Sequence, residues 1–308
     1  PHTPDLARPI SGLKEDANAN DYPLKISSAL IGSCTNSSYE DIGRAAFIAR
    51  EAAKHGLKAK VPLMVTPGSE QTRATIERDG YLKDLEAIGA TVLANACGPC
   101  IGQWKRDDIK EGESNSIVSS FNRNFPARND GNAETLSFIG SPETVIGLAL
   151  GGTLDFNFLD DTLTSKDGEE ITLNPPIADE LPDKGFEETL EGFIQPTPGD
   201  DVEVVIDPES NRLQRLTPFE APNESEYSSM SVLMKAEGKC TTDHISPAGK
   251  WLQFRGHLEN ISQNLFNGVN NAFADNAGDG VNVLTKEVDT LPNIAKNYHA
   301  ENVSWVAV

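Results

Sequence analysis

The fold is decided by residues 25–55, which read KISSALIGSCTNSSYEDIGRAAFIAREAAKH. The stretch up to Ile31 is short and mostly apolar, which predicts a buried β-strand. The polar residues Gly32 to Asn36 then form a loop, and Ser37 or Ser38 can cap the helix that occupies the rest of the stretch. A strand, a polar loop and a helix in this order indicate the start of a parallel α/β sheet.

The same alternation of strands and helices continues to about residue 150. Further strands are predicted at Lys60–Val65, Thr91–Ala94, Ser116–Ser120 and Ser137–Ile139, with helices at Glu70–Arg78, Leu82–Ile88 and after Ser141. The pattern predicts an α/β fold with a doubly wound, mainly parallel sheet. In such sheets the carboxyl ends of the strands share one edge, where ligands bind.

The composition changes in the second half of the chain. Prolines and acidic residues recur between Pro175 and Pro222, which is typical of a linker. We therefore predict an α/β domain at 1–190, an interdomain linker at 191–225 that includes a possible isolated strand at Val202–Ile206, and a second unit at 226–308. The second unit opens with a strand at Val232–Lys235.

The charge balance limits the partners that this chain can bind. Lys and Arg total 26 and Asp and Glu total 47, which gives a net charge of −21. Binding to nucleic acid or to an anionic membrane requires clustered cations, so we expect neither partner. No apolar run approaches the ~20 residues of a membrane-spanning helix. An anionic small molecule would need a pocket in which a few arginines outweigh the overall charge.

Three of the four cysteines follow predicted strands. Cys34 follows the first strand and the Cys97–Cys100 CxxC pair follows the third, whereas Cys240 lies beyond the linker. A CxxC pair alone fits a redox motif or half of a zinc ribbon. Three thiolates at one sheet edge also suit an iron–sulfur cluster. The spacing does not decide between these three interpretations, and it does not decide the role of Cys240.

Three arginines are candidates for binding a carboxylate. Arg123 and Arg128 follow the fourth predicted strand, beside Asn122, and Arg255 lies in the second unit. A guanidinium group can bind a carboxylate through two parallel hydrogen bonds. The segment 241–246, TTDHIS, is also dense in polar groups and contains Asp243.

Four segments resemble motifs of the mitochondrial aconitases. Residues 31–41 (IGSCTNSSYED) and 94–104 (ANACGPCIGQW) resemble the cluster-binding motifs of that family, and 119–125 (SSFNRNF) resembles its substrate-arginine segment. Residues 238–246 (GKCTTDHIS), followed by Arg255 to Leu258, resemble the start of its last domain, a swivel-type domain. The motifs occur in the family's order along the whole chain.

The resemblance implies a function for each candidate residue. Cys34, Cys97 and Cys100 would bind three irons of a 4Fe–4S cluster, the fourth iron would take the substrate, and Cys240 would be a non-ligand thiol. Arg123, Arg128 and Arg255 would bind the carboxylates of a tricarboxylate, Asn122 would lie beside the cluster, and Asp243 would support catalysis. The implied reaction interconverts citrate and isocitrate through cis-aconitate, with the iron as a Lewis acid, in the mitochondrial matrix.

The family is much longer than this chain. We expect residues 1–308 to be its third domain, the linker and the incomplete fourth domain, and to be inactive without the missing domains of the same polypeptide. A homoaconitase is the nearest alternative. A zinc-stabilised structural fragment and an RNA-binding iron-regulatory fragment are further alternatives, although the net charge disfavours the second.

Overall fold

The computed structural model describes residues 6–32, 34–189, 193–199, 202–221 and 227–308. The chain divides into two units, the first ending at Pro196 and the second beginning at Thr197. The domain boundaries predicted at 190–191 and 225–226 lie outside the described residues.

The first unit is built on a five-stranded sheet in which every neighbouring pair is parallel. The strand order is β3-β2-β1-β4-β5. The strands are β1 (Ile26–Ile31), β2 (Leu63–Val65), β3 (Ala90–Val92), β4 (Asn115–Ser119) and β5 (Thr135–Ile139). The helices are α1 (Ile10–Ala19), α2 (Tyr39–Lys54), α3 (Glu70–Arg78), α4 (Tyr81–Ala87) and α5 (Pro142–Gly151). The predicted α/β fold with a parallel sheet is confirmed.

The two faces of this sheet bury different sets of side chains, because successive residues of a strand point to opposite faces. On one face, Ile31, Val65 and Val118 belong to a large apolar core that also contains α2 and α5. On the other face, Leu30 and Ile117 belong to a separate, smaller core. This smaller core also contains Cys100, one of the predicted ligands.

Helix α2 begins where the sequence predicts it, and its first turn explains why. Ser38 is the N-cap, and its Oγ accepts a hydrogen bond from the Asp41 N–H at 3.2 Å. The Asp41 carboxylate accepts a hydrogen bond from the Ser38 N–H at 3.0 Å, which completes a capping box. The cap fixes the point at which the polar loop after β1 ends.

The first unit also contains a short hairpin after α5. The elements described in the second unit are strands of three or four residues and α-helices of four to ten residues. The hairpin pairs β6 (Leu163–Thr164) with β7 (Glu170–Ile171). The second unit contains β8 (Ser231–Met234), α6 (Thr242–Ile245), α7 (Leu258–Ile261), β9 (Asp279–Val281), β10 (Val288–Thr290), α8 (Leu291–Ala300) and β11 (Trp305–Ala307). Its core forms where β8 pairs in parallel with β11 and α8 packs on them, around Leu233, Met234, Ile294 and Tyr298.

Several sequence predictions need correction. The described residues 202–206 form no strand, and Val202, Val204 and Val205 are exposed because no neighbouring strand pairs with them. The second strand starts at Leu63 instead of Lys60, since the Lys60 N–H donates to Ala149 O. Helices α1 and α8 were not predicted.

None of the helices in the described part of the chain has the length and apolar character that crossing a membrane requires.

Candidate functional site

The sheet order predicts a crevice between β1 and β4. The chain leaves β1 toward β2 on one side and later enters β4 on the other side, so the connections diverge at this point. Open α/β sheets bind ligands beyond the carboxyl ends of the strands at such a switch point. The loop of Cys34 follows β1, and Asn122 and Arg123 follow β4. Two of the predicted motifs therefore lie at the same crevice.

The CxxC pair reaches this crevice although it follows an edge strand. Cys100 is buried and packs with Leu30 of β1, Ile117 of β4 and Phe121 in the smaller core. Its Sγ lies 3.8 Å from Oδ1 of Asn122. The structure thus brings Cys100 together with the segment that follows β4.

The Cys100 thiol lies close enough to the other two cysteines for them to influence it. Burial raises the pKa of the Cys100 thiol, and the nearby Cys97 and Cys34 raise it further, while the Arg128 guanidinium opposes the shift. Cys34 and Cys97 are exposed to solvent, and all three thiols are free of disulfides. A cluster or metal that binds thiolates would compensate the burial of Cys100, because it stabilises the deprotonated form.

The CxxC turn is fixed by hydrogen bonds to its backbone. It is a short 3-10 helix, Gly98–Ile101, in which the Cys100 N–H donates to Cys97 O at 2.7 Å. Arg128 Nε donates to Cys100 O at 2.7 Å, and Asn129 Nδ2 donates to Pro99 O at 3.0 Å. Both of these side chains are buried, so two consecutive carbonyls of the turn are held by two consecutive residues of another segment.

The loop that contains Cys34 is fastened to the residue that follows β4. Ser120 is fully buried, and its Oγ accepts a hydrogen bond from the Gly32 N–H at 3.0 Å. The same Oγ lies 3.2 Å from Asn36 O, and Asn36 Nδ2 donates to Ser120 O at 2.6 Å. Cys34 lies midway between Gly32 and Asn36, so both ends of its loop are attached to Ser120.

The two arginines after β4 differ in their surroundings. Arg123 is half-buried next to Asn122, which is itself exposed. Arg128 is buried, and its guanidinium lies 5.1 Å from the centre of the Phe125 ring. Its Nε donates a hydrogen bond to Cys100 O. The assignment of both arginines to substrate carboxylates stays a prediction.

The remaining predicted residues belong to the second unit. Asp243 is half-buried in the first turn of α6, Arg255 is exposed after a 3-10 helix, and Cys240 is exposed. His244 caps its own helix, because its Nδ1 accepts a hydrogen bond from the Thr241 N–H at 2.8 Å. The roles of Asp243 and Arg255 stay predictions.

The three thiols are the predicted ligands of a cluster, and the structure groups no three His, Cys, Asp or Glu side chains to hold a single ion in the part of the chain that it describes. A 4Fe–4S cluster differs from a single ion because each cysteine binds a different iron, so its sulfurs surround the cluster without meeting at one point. The assignment of Cys34, Cys97 and Cys100 to one cluster stays a prediction.

Sequence reasoning did not identify the residues that position these loops. Ser120 and Asn129 were not predicted, because their partners lie 84 to 88 and 30 positions away. Arg106 was also missed; its nearly buried side chain contacts Asp130 at 3.5 Å and Asn115 at 2.8 Å. The only sequence signal was their position, at the end of a buried strand or near the CxxC pair. Polar side chains that become buried in such places need hydrogen-bond partners.

Comparison with known proteins gives consistent matches over most of the chain. Residues 5–152 match the aconitase family (aconitate hydratase), and residues 230–308 match the aconitase C-terminal domain. A protein of Saccharomyces cerevisiae named "Aconitate hydratase, mitochondrial" is 53% identical over 310 residues. The "Probable aconitate hydratase, mitochondrial" of Dictyostelium discoideum is 49% identical over 309 residues.

Each of these alignments covers 100% of this chain and 40% of the relative, so the chain spans less than half the length of the curated relatives that it matches. The matched residues include all four motifs that the sequence analysis singled out. On the strength of these matches and of the parallel α/β sheet, the chain belongs to the aconitase family.

Proposed function

We propose that this chain is the cluster-binding part of a mitochondrial aconitate hydratase, a hydro-lyase that interconverts citrate and isocitrate through cis-aconitate. The observation that carries the proposal is the position of Cys100. It joins the CxxC turn to the ends of β1 and β4, where the Cys34 loop and the Asn122-Arg123 pair lie. The names of the relatives support the reaction and the mitochondrial location.

The three thiols would hold a 4Fe–4S cluster, with Cys34, Cys97 and Cys100 each ligating one iron. When bound, the cluster would supply a Lewis-acidic iron that polarises the hydroxyl group of the substrate. Cys240 lies in the second unit and is proposed to be no ligand. The Asn122 amide, beside the Cys100 sulfur, would orient and shield this side of the site.

The arginines would bind and orient the substrate. Arg123 lies at the crevice and can offer a planar pair of donors to a carboxylate, and we assign the same role to Arg128 and Arg255. Fixing a tricarboxylate through several such contacts holds the reacting carbon and its hydroxyl group in one orientation. These cations also counteract the repulsion that a chain of net charge −21 exerts on a polyanion.

Asp243 would support catalysis from the second unit. The group that removes the proton is not among the assigned residues, and we place it in the remaining part of the polypeptide. The chain covers 40% of its relatives, which agrees with an active site that needs further domains. We therefore expect no turnover from residues 1–308 alone.

The test is an assay of cis-aconitate hydration after anaerobic reconstitution with iron and sulfide. We expect the complete polypeptide to convert cis-aconitate, citrate and isocitrate, and the isolated 308 residues to convert none of them. An Arg123→Gln variant of the complete polypeptide should raise KM for all three substrates, whereas Arg212→Gln, which changes an exposed arginine of the second unit, should not. A complete polypeptide that acts on homocitrate-type substrates only would overturn the proposed substrate.

A further inference from the structure

The ten residues 120–129 contact both cysteine loops. Ser120 contacts the Cys34 loop, and Arg128 and Asn129 contact the CxxC turn. Asn122, between them, contacts the Cys100 sulfur. One short segment is therefore hydrogen-bonded to both cysteine loops.

The contacts of Ser120 restrain the Cys34 loop at both of its ends. The hydroxyl group accepts one hydrogen bond from the Gly32 N–H and has one proton, which it can donate to Gly32 O at 3.3 Å or to Asn36 O at 3.2 Å. The Ser120 N–H donates to Leu30 O at 3.0 Å, which extends the pairing of β1 with β4. The loop is thus attached to the rigid end of the sheet.

A side chain at position 32 would also crowd the approach of this loop to the sheet. A Cβ there would lie 3.2 Å from Thr66 Cβ and 3.3 Å from Phe121 Cε1. Such distances are tighter than ordinary packing contacts, so a larger residue would displace the loop. The close fit shows that the position of the loop is specified from both sides.

The CxxC turn has an equivalent restraint from Asn129. Asn129 is buried, with 2% of the residue exposed. Its side-chain amide donates a hydrogen bond to the carbonyl of Pro99, which lies between the two cysteines of the motif. A buried amide without its partner would be costly, so the turn and the segment are held together.

We propose that Ser120 and Asn129 are positioning residues that set the distance between Cys34 and the Cys97/Cys100 pair so that one cluster can span them. This inference rests on the proposed function. Neither side chain ligates a metal in the proposal. Each acts through the backbone of a loop, as outer partners of metal ligands commonly do.

The first test is cluster retention by the 308-residue chain after anaerobic reconstitution. Ser120→Ala and Asn129→Leu should each bind the cluster at least about tenfold more weakly, the range by which loss of an outer partner lowers metal affinity, and should therefore lose it to a chelator faster. The retained cluster should show an altered visible circular dichroism spectrum. Neither effect follows from a small loss of stability alone.

The matched controls are substitutions of the same type that do not touch a cysteine loop. Ser137 is a buried serine of β5 whose Oγ makes no hydrogen bond within the described part of the chain, so Ser137→Ala is the control for Ser120→Ala. Asn132 is a buried asparagine whose amide nitrogen donates to Glu113 O and whose Oδ1 accepts from the Gly112 and Glu134 N–H groups, so Asn132→Leu is a more disruptive control for Asn129→Leu. Both controls should keep the cluster and its spectrum. Thermal melting followed by far-ultraviolet circular dichroism establishes that each variant is folded.

The second test needs no cluster. In a Cys240→Ser background, a short bifunctional thiol reagent should join Cys34 to the CxxC pair in the metal-free chain, and Ser120→Ala should lower that yield severalfold relative to Ser137→Ala. If Ser120→Ala does not fold, Asn36→Ala removes the second attachment of the same loop and is predicted to have the same effect.

The outcomes separate the two proposals. If Ser120→Ala and Asn129→Leu behave as their controls do while the unchanged chain binds a cluster, the positioning role is wrong and the proposed function stands. If the unchanged chain and Ser137→Ala both fold but bind no iron and sulfide, the proposed function is wrong and the positioning role falls with it.

Discussion

Replacing Arg106 by methionine should destabilise the first unit strongly, because it would leave the buried Asp130 carboxylate without its cation. The side chains of Arg106 and Asp130 are each only 3% exposed, and their charged atoms lie 3.5 Å apart. Arg106 also donates to Asn115 Oδ1 at 2.8 Å, and its guanidinium lies 4.8 Å from the centre of the Trp104 ring. Asp130 would lose its cation and keep hydrogen bonds from Thr135 and from the Asn132 N–H.

The magnitude follows from the burial of the pair. Removing one partner of a buried ion pair costs about 3–5 kcal/mol, because the remaining charge is left in a poorly solvated place. The Arg106 contact with Asp108 adds little, since the Asp108 side chain is 55% exposed. At a urea m value of about 2 kcal/mol/M, the midpoint should fall by about 1.5–2.5 M.

The assay uses the position of the tryptophans. Trp104 lies in the first unit, and the other two, Trp251 and Trp305, lie in the second. With both of these changed to phenylalanine, fluorescence in urea reports on Trp104. The control is Lys105→Met, which removes a neighbouring cation whose side chain is 90% exposed and should leave the midpoint unchanged. An Arg106→Met midpoint equal to that of Lys105→Met would refute the reasoning.

Three further predictions concern the helices and the Cys34 loop. Burial alone would raise the pKa of Glu143, but the hydrogen bonds from Arg44, from the Glu143 backbone and from Ser141, together with the Arg44 charge, outweigh this and hold the pKa below its usual range. A carboxylate with a lowered pKa stabilises the fold above its ordinary pKa of about 4.3 and loses this contribution as the pH falls through the folded-state pKa. The difference in urea midpoint between the unchanged chain and Glu143→Gln should therefore be largest near neutral pH and disappear in acid; a difference that grows in acid contradicts this. Ser38→Ala removes the cap of α2 and should cost about 1 kcal/mol in urea unfolding, and a cost near zero would show that the capping box contributes nothing. Gly32→Ala should cost about 1–3 kcal/mol through crowding against Thr66 and Phe121 and should weaken cluster retention, and an unchanged melting temperature would contradict the crowding.

The local parts of the fold could be predicted from the sequence. Helix α3 lies at Glu70–Arg78, as predicted, and α2 begins at Tyr39, because caps and short apolar runs are encoded by neighbouring residues. The predicted placement of polar loops at the carboxyl ends of β1, β3 and β4 also agrees with the structure. These elements sufficed to indicate where a site would form.

The strand order and the contacts between distant loops could not be predicted from local patterns. Nothing near Cys97 indicates that its turn leaves the edge strand β3 and packs Cys100 against Leu30 and Ile117. Ser120 and Asn129 are ordinary polar residues until their partners are known. For the valines at 202, 204 and 205 the sequence predicted a strand that the structure does not form. A strand-like pattern forms a strand only where another strand can pair with it.

The most direct test of the central claim is the amount of iron and acid-labile sulfide that each cysteine variant binds after anaerobic reconstitution. We predict one 4Fe–4S cluster per chain, with equal iron and sulfide and broad visible absorbance, for the unchanged chain and for Cys240→Ser. Cys34→Ser, Cys97→Ser and Cys100→Ser should each lose the cluster while remaining folded. Retention of a full cluster by Cys34→Ser, or stoichiometric zinc in place of iron and sulfide in the unchanged chain, would contradict the claim that these three thiols hold one cluster.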